Sequence, residues 1–135
     1  MDLNAPLDSY CERLGPGLWA EPLNAVSNLS FIIAALWMWQ RSGGRGLAGV
    51  LCVILFFIGV TSGLWHTHAV VWTVAADSLS ILEFILVYIY AANRRFLGFQ
   101  PAASLGRTAL FFPYAAARSW VFGRAMPWLD SSAGY

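Results

Sequence analysis

Three residues capable of chemistry lie in an otherwise apolar part of the chain, in the pattern Ser62-x3-His66-x10-Asp77. No Asp, Glu, Lys or Arg occurs between Gly46 and Ala76, and Asp77 opens the next apolar run. Because an ionisable residue at membrane depth is costly, it is usually retained for metal binding or proton transfer. One helix hairpin would gather the hydroxyl, the imidazole and the carboxylate. The pattern therefore predicts a candidate active site.

Ser62 and His66 are four residues apart, so on a helix they share one face about one turn from each other. A neutral imidazole is a good zinc ligand, and a hydroxyl one turn away can donate to a developing oxyanion. The alternative for His66 is a hydrogen bond to a neighbouring helix, since polar residues often join helices in membranes. His68 lies about 200° round the helix from His66, which predicts an interfacial residue outside the site.

Asp77 has a structural alternative as well. The run 77–80 is typical of a helix N-cap, so capping alone would explain an acid here. A cap does not exclude proton transfer to or from a metal-bound water. Glu83 lies about 240° further round the helix and cannot share the face of Asp77, so it needs a buried partner or a wet cavity.

The composition indicates an integral membrane protein. Of the 135 residues, 59% are hydrophobic and 11% are charged, whereas a soluble domain carries about 25% charged residues. The mean hydropathy is +0.60. The net charge of +1 provides no basic surface for nucleic acid. Cys11 and Cys52 are not expected to form a disulfide, because one precedes the first predicted span and the other lies within the second.

The chain divides into a leader, a bundle and a tail. Residues 1–21 form an acidic leader, residues 22–122 a transmembrane helix bundle of all-α class, and residues 123–135 a tail expected to be truncated because it lacks a basic stop. Uncharged runs of about twenty residues cross most of a roughly 30 Å hydrocarbon core. The predicted spans are Pro22–Gln40, about Leu47–His68 and about Asp77–Ala92, with a weaker fourth candidate at 103–122 interrupted by Pro113.

The arginines predict the orientation of the bundle. The first loop holds Arg41 and Arg45, the third loop holds three further arginines, and the second loop holds none. The positive-inside rule therefore places loops one and three in the cytoplasm and the acidic leader outside. His66 and Asp77 would lie near the outer face. The leader lacks the basic start of a signal peptide, which is compatible with a bacterial inner membrane.

A polar stripe marks the first span. Asn24, Ser27 and Asn28 follow the i, i+3, i+4 spacing of one helix face. We predict that this face meets the other helices and that its side chains hydrogen-bond across the bundle.

Three ordered motifs together resemble the alkaline ceramidase family. They are Tyr10-Cys11-Glu12, the run 20–29 with the sequence AEPLNAVSNL, and Ser62-x3-His66-x10-Asp77. The family belongs to a superfamily of membrane hydrolases that includes the adiponectin and progestin receptors. The resemblance covers about residues 8–95, which correspond to the N-terminal half of a seven-helix fold.

The resemblance implies a zinc-dependent amide hydrolase that cleaves ceramide to a sphingoid base and a fatty acid. By this resemblance His66 is one zinc ligand, Asp77 orients or deprotonates the catalytic water, and Ser62 stabilises the oxyanion. Zinc would lower the pKa of that water and polarise the carbonyl. Relatives of this type also hold calcium with their leader, and Glu12 and Glu21 match two of those ligand positions.

The chain departs from the family in its histidines. It contains only His66 and His68, and no His-x3-His motif that would supply two more zinc ligands. A catalytic zinc usually has three protein ligands. We therefore expect this sequence to be incomplete, or a second polypeptide to provide the other ligands, and the chain alone to be inactive. The alternative is a non-catalytic membrane scaffold or lipid-binding protein that shares the fold.

Overall fold

The computed structural model describes residues 2–13, 15 and 17–125, and it is all-α, as predicted. The helices within these residues are α1 (Pro22–Ser27), α2 (Leu29–Ser42), α3 (Gly46–His68), α4 (Val71–Arg95), α5 (Pro101–Ala109) and α6 (Phe111–Ala125). The contacts within the chain divide it into two compact units, Met1–Val87 and Tyr88–Tyr135. Most of the predicted tail, residues 126–135, lies outside the described residues.

Three helices are long and apolar enough to cross a membrane, as predicted. They are Pro22–Ser42, which combines α1 and α2, then Gly46–His68 and Val71–Arg95. The weaker fourth candidate at 103–122 falls on α5 and α6, which meet at Leu110. It is not among the helices of the described residues that could cross a membrane.

The second unit begins within α4. There the Arg94 guanidinium donates to the carbonyl of Phe99. The Arg107 guanidinium lies 3.7 Å from the centre of the Phe99 ring, an arrangement typical of a cation–π contact. These contacts order the segment between α4 and α5.

The first unit is centred on the packing of α2 against α3. Ala35 from α2 and Cys52, Ile54 and Ile58 from α3 are buried, whereas many large apolar side chains on the outer faces are exposed. Cys11 and Cys52 are both free thiols, as expected. Helices α2 and α3 approach closely at Gly59. A Cβ added there would lie 2.6 Å from Ile32 Cγ1 and 3.1 Å from the Asn28 carbonyl oxygen.

We expect Gly59→Ala to lower the free energy of unfolding by about 1–3 kcal/mol, because the added methyl group would overpack the α2–α3 contact. Gly63→Ala is the matched control in the same helix, since a Cβ there would meet nothing within 4 Å. Denaturation by SDS in mixed micelles, followed by circular dichroism, measures both variants. Equal stabilities would contradict the close approach at Gly59.

The polar stripe of the first span bonds locally rather than across the bundle. The Ser27 hydroxyl and the Asn28 amide both donate to the carbonyl oxygen of Asn24, each at 2.8 Å. Because α1 ends at Ser27, a carbonyl near its end lacks an intrahelical partner, and these side chains satisfy it. The predicted interhelical bonds of Ser27 and Asn28 were wrong for this reason.

Helix α4 begins six residues earlier than predicted, at Val71 rather than Asp77. The first amides of a helix need acceptors, and here the leader supplies them. Val71 N–H donates to the carbonyl of Ala5 at 3.2 Å, and Trp72 N–H donates to that of Leu3 at 3.1 Å. Asp77 is therefore in the second turn of α4, which excludes the alternative that it is the N-cap of this helix.

Backbone hydrogen bonds join the leader to the short turn between α3 and α4. Ala69 adopts a left-handed conformation with φ of 45° and ends α3. Its carbonyl accepts from Leu7 N–H at 2.8 Å, and Pro6 pairs with Val70 in an antiparallel bridge. The leader and the hairpin of α3 and α4 thus meet at the end of α3 that carries His66.

Candidate functional site

A buried pair of Glu21 and His66 is the centre of the site. Glu21 immediately precedes α1 and is 1% exposed, and His66 is in the last turn of α3 and is 8% exposed. The distance from His66 Nδ1 to Glu21 Oε2 is 2.6 Å. A carboxylate only accepts hydrogen bonds, so Nδ1 is the donor, and whenever the ring is neutral Nε2 keeps its lone pair. This arrangement leaves Nε2 available as a ligand or base.

Arg13 completes this centre from the leader. Its Nε donates to Glu21 Oε1 at 2.6 Å, and its Nη2 donates to the carbonyl oxygen of His66 at 3.1 Å. The Arg13 and Glu21 side chains are 6% and 1% exposed, respectively. The ring of Tyr10 meets the edge of the His66 ring, with the two ring centres 4.9 Å apart. The leader therefore covers His66 with a cation, a carboxylate and an aromatic ring.

The pKa of Glu21 lies below its ordinary value of 4.5. Burial acts to raise this pKa, but hydrogen bonds from His66, Arg13 and Asn24, together with the charge of Arg13, outweigh burial. Glu21 is thus an ionised carboxylate at neutral pH, as required for it to accept from His66.

This lowered pKa predicts acid destabilisation. A carboxyl group whose pKa is lower in the folded state contributes stability above its unfolded pKa, and this contribution is lost as the pH falls through the folded pKa. We expect the Tm of the wild type to decrease below pH 4.5, the ordinary value, and Glu21→Gln to lose much of that decrease. Thermal unfolding over a pH series tests this expectation. Asp8→Asn, at an exposed leader position, is the control and should keep the wild-type dependence of Tm on pH. If Glu21→Gln showed the same dependence of Tm on pH as the wild type, the assignment of the acid destabilisation to Glu21 would be refuted.

Ser62 and His66 are both buried on α3, one turn apart. Asp77 is half-buried on α4. The Asp77 carboxyl group lies within interaction distance of the Ser62 hydroxyl and the His66 ring. Asp77 Oδ1 is itself buried and has no hydrogen-bond partner among the described residues. The structure thus brings together the three residues that the spacing singled out.

A hydroxyl pair holds α4 against α3 beside Asp77. Thr61 and Ser80 are hydrogen-bonded through their side-chain oxygens at 2.9 Å, and the Ser80 hydroxyl also donates to the carbonyl of Asp77 at 2.8 Å. Thr73 is fully buried and bonds the backbone of Val70, donating to its carbonyl and accepting from its N–H. These bonds fix the turn of α4 from which Asp77 projects.

Two other acids and the second histidine lie apart from this centre. Glu83 is exposed on α4. The Glu12 carboxylate accepts from the backbone N–H groups of Leu23 and Asn24, at 2.7 and 3.2 Å, and so caps the start of α1. His68 is exposed, and its Nδ1 lies 3.0 Å from the Thr67 hydroxyl. His68 is outside the site, as the helix geometry predicted.

The metals implied by the ceramidase resemblance fit the described residues incompletely. His66 and Asp77 provide two donors suited to zinc, but no group of three or more His, Cys, Asp or Glu among the described residues could hold a metal ion. The oxygens of Glu12 and Glu21 accept from N–H donors, which leaves them unsuited to calcium in this arrangement. These residues alone do not fit a complete site for either ion.

No protein-family model, no curated protein and no solved structure matches this chain. The resemblance to alkaline ceramidases therefore rests on the three motifs quoted above.

The sequence reasoning missed Arg13 and the partnership of Glu21 with His66. One signal was available, because Arg13 is the one Lys or Arg among residues 1–21, which include four acids. A single cation in an acidic segment predicts an ion pair, although its partner and its contact with the end of α3 depend on the fold.

Proposed function

We propose that this chain forms part of a membrane-embedded hydrolase site of the alkaline ceramidase type, which cleaves the amide of a ceramide-like lipid. One observation carries the proposal. The Glu21–His66 pair leaves Nε2 available, and Asp77, beside Ser62 and His66, has a buried Oδ1 with no hydrogen-bond partner among the described residues. Buried polar atoms without a partner are rare and call for a functional explanation.

Each residue has a distinct role in this proposal. Glu21 holds the His66 ring in one tautomer and orientation, as carboxylates do behind metal-binding histidines. Asp77 takes or returns the proton of the attacking water. The Ser62 hydroxyl donates to the oxygen that gains negative charge.

The zinc ion of this proposal needs ligands besides those described. Zinc prefers nitrogen and sulfur ligands and usually takes three from the protein at a catalytic site. His66 supplies one nitrogen ligand, and we propose that the rest come from a second chain or from sequence outside the described residues.

The membrane arrangement follows the distribution of charge. The described residues include three helices that could cross a membrane, which supports a multi-pass membrane protein. We propose that the leader and the site face the outer side of a bacterial inner membrane, since the arginines are concentrated in the first and third loops. The substrate would then enter from the outer leaflet.

Chelation of the protein isolated in mild detergent from its own membrane tests the proposed activity. We expect release of labelled fatty acid from a labelled ceramide, its loss with a zinc chelator, and its return on addition of zinc. The corresponding fatty acyl ester is the comparison substrate that separates amidase from esterase activity. Release that is unaffected by the chelator, or no release of either product, would refute the proposal.

A second candidate is a non-catalytic scaffold or lipid-binding protein. It is favoured by the exposed apolar faces of the three long helices and by the incomplete donor set. This candidate predicts that His66→Ala and Asp77→Ala leave lipid binding unchanged. The first candidate predicts loss of hydrolysis in both variants, so one pair of variants separates the two.

A further inference from the structure

Arg13 makes three contacts that join separate parts of the first unit. Its Nε donates to Glu21 at the start of α1, its Nη2 donates to the His66 carbonyl at the end of α3, and its Nη1 lies 3.4 Å from the Gly15 carbonyl oxygen. All three acceptors are oxygens, two of them main-chain carbonyls. Carbonyl and carboxylate oxygens around one positive charge also describe how a protein holds a hard cation such as calcium.

The carboxylates of Glu12 and Glu21 already accept from N–H donors. Glu12 Oε1 and Oε2 accept from Leu23 N–H and Asn24 N–H, and Glu21 Oε1 accepts from Arg13. Glu21 Oε2 accepts from His66 Nδ1 at 2.6 Å and from the Asn24 amide at 3.4 Å. A calcium ion would have to displace these donors, and the fixed charge of Arg13 would repel it.

The guanidinium matches this position by its shape as well as its charge. It is planar and presents five N–H donors in a fixed fork, so one group can reach acceptors on different elements at once. A lysine ammonium is a compact point charge that lacks this fork. The three contacts therefore depend on arginine rather than on any cation.

We propose that Arg13 is the resident cation of the leader, standing in place of a bound calcium ion, and that it positions His66 by holding both Glu21 and the His66 carbonyl. Arg13 is a positioning residue, because it acts on the ring through Glu21. The consequence for catalysis rests on the proposed function, whereas the position of the ring does not.

Nitrogen NMR of the two histidines tests this proposal without any turnover. The chain has only two histidines, so protein labelled with ¹⁵N-histidine gives two sets of ring signals, and His68→Gln assigns them. In the wild type we expect a slowly exchanging Nδ1–H for His66, unchanged by millimolar calcium or by a calcium chelator. In Arg13→Gln we expect this signal to be lost through exchange, and Arg13→Lys should restore it only in part.

Arg41→Gln is the control for loss of one arginine, because Arg41 contacts the Trp37 ring, away from the leader. It should leave the His66 signal unchanged. If Arg13→Gln fails to fold, the response of the wild type to calcium still decides the question. The proposal is overturned by an unchanged His66 signal in a folded Arg13→Gln protein, or by a calcium-dependent change in the wild type. A normal His66 signal in a protein without hydrolase activity would contradict the proposed function alone.

Discussion

Replacing Glu21 with alanine is expected to lower the free energy of unfolding by about 3–5 kcal/mol. Removing one member of a buried charged pair leaves the other without compensation, and measured losses are of this size. Glu21 is 1% exposed and accepts from both Arg13 and His66 at 2.6 Å. The substitution would leave the Arg13 guanidinium buried without its carboxylate. Titration with SDS in mixed micelles, followed by circular dichroism, measures the loss.

Asp8→Ala is the matched control for Glu21→Ala. Asp8 is an acid of the same leader but is exposed, and substitutions of this kind usually change stability by no more than about 0.5 kcal/mol. A loss in Glu21→Ala no larger than that in Asp8→Ala would show that the buried pair does not hold the leader to α3.

Asp77→Asn is expected to reduce ceramide hydrolysis by roughly 10²–10⁴-fold while leaving the free energy of unfolding undiminished. The activity falls because the amide cannot transfer the proton assigned to the carboxylate. Stability does not fall, because the buried Asp77 Oδ1 has no partner in the part of the chain that the structure describes, and a neutral amide is cheaper to bury than a charge. The initial rate of fatty acid release and the SDS titration measure the two effects on the same preparation.

The control for Asp77→Asn is Glu83→Gln, which makes the same chemical change on α4 at an exposed position. This variant should retain the wild-type rate. If Asp77→Asn lost stability and activity together, the residue would have a structural role, and retention of activity in Asp77→Asn would remove it from the chemistry.

The sequence predicted the long helices because their signal is local. Two uncharged runs of about twenty residues, and a third apolar run that ends before Arg94 and Arg95, located the three spans to within a few residues, apart from the start of the third. That start depends on the leader, since the carbonyls of Leu3 and Ala5 accept from the first amides of α4. A pattern within residues 70–80 carries no information about acceptors some 65 residues earlier in the chain.

For the site, too, the sequence predicted the local relations and missed the long-range ones. The pairing of Ser62 with His66 follows from the four-residue spacing, and the exclusion of His68 follows from the helix angle. The bond between Glu21 and His66 joins residues 45 positions apart, and no spacing rule reaches across that separation. The ceramidase resemblance assigned Glu21 as a calcium ligand and His66 as a zinc ligand. In the structure the Glu21 carboxylate instead accepts hydrogen bonds from Arg13 and His66.

The zinc content of the protein isolated from its own membrane tests the central claim most directly. Wild type, His66→Ala and His68→Ala are compared, because the two histidines are two residues apart and only His66 belongs to the site. We predict bound zinc and ceramide hydrolysis in the wild type and in His68→Ala, and loss of both in His66→Ala. Equal zinc content and equal hydrolysis in the two variants would contradict the assignment of His66 as a ligand in a hydrolase site.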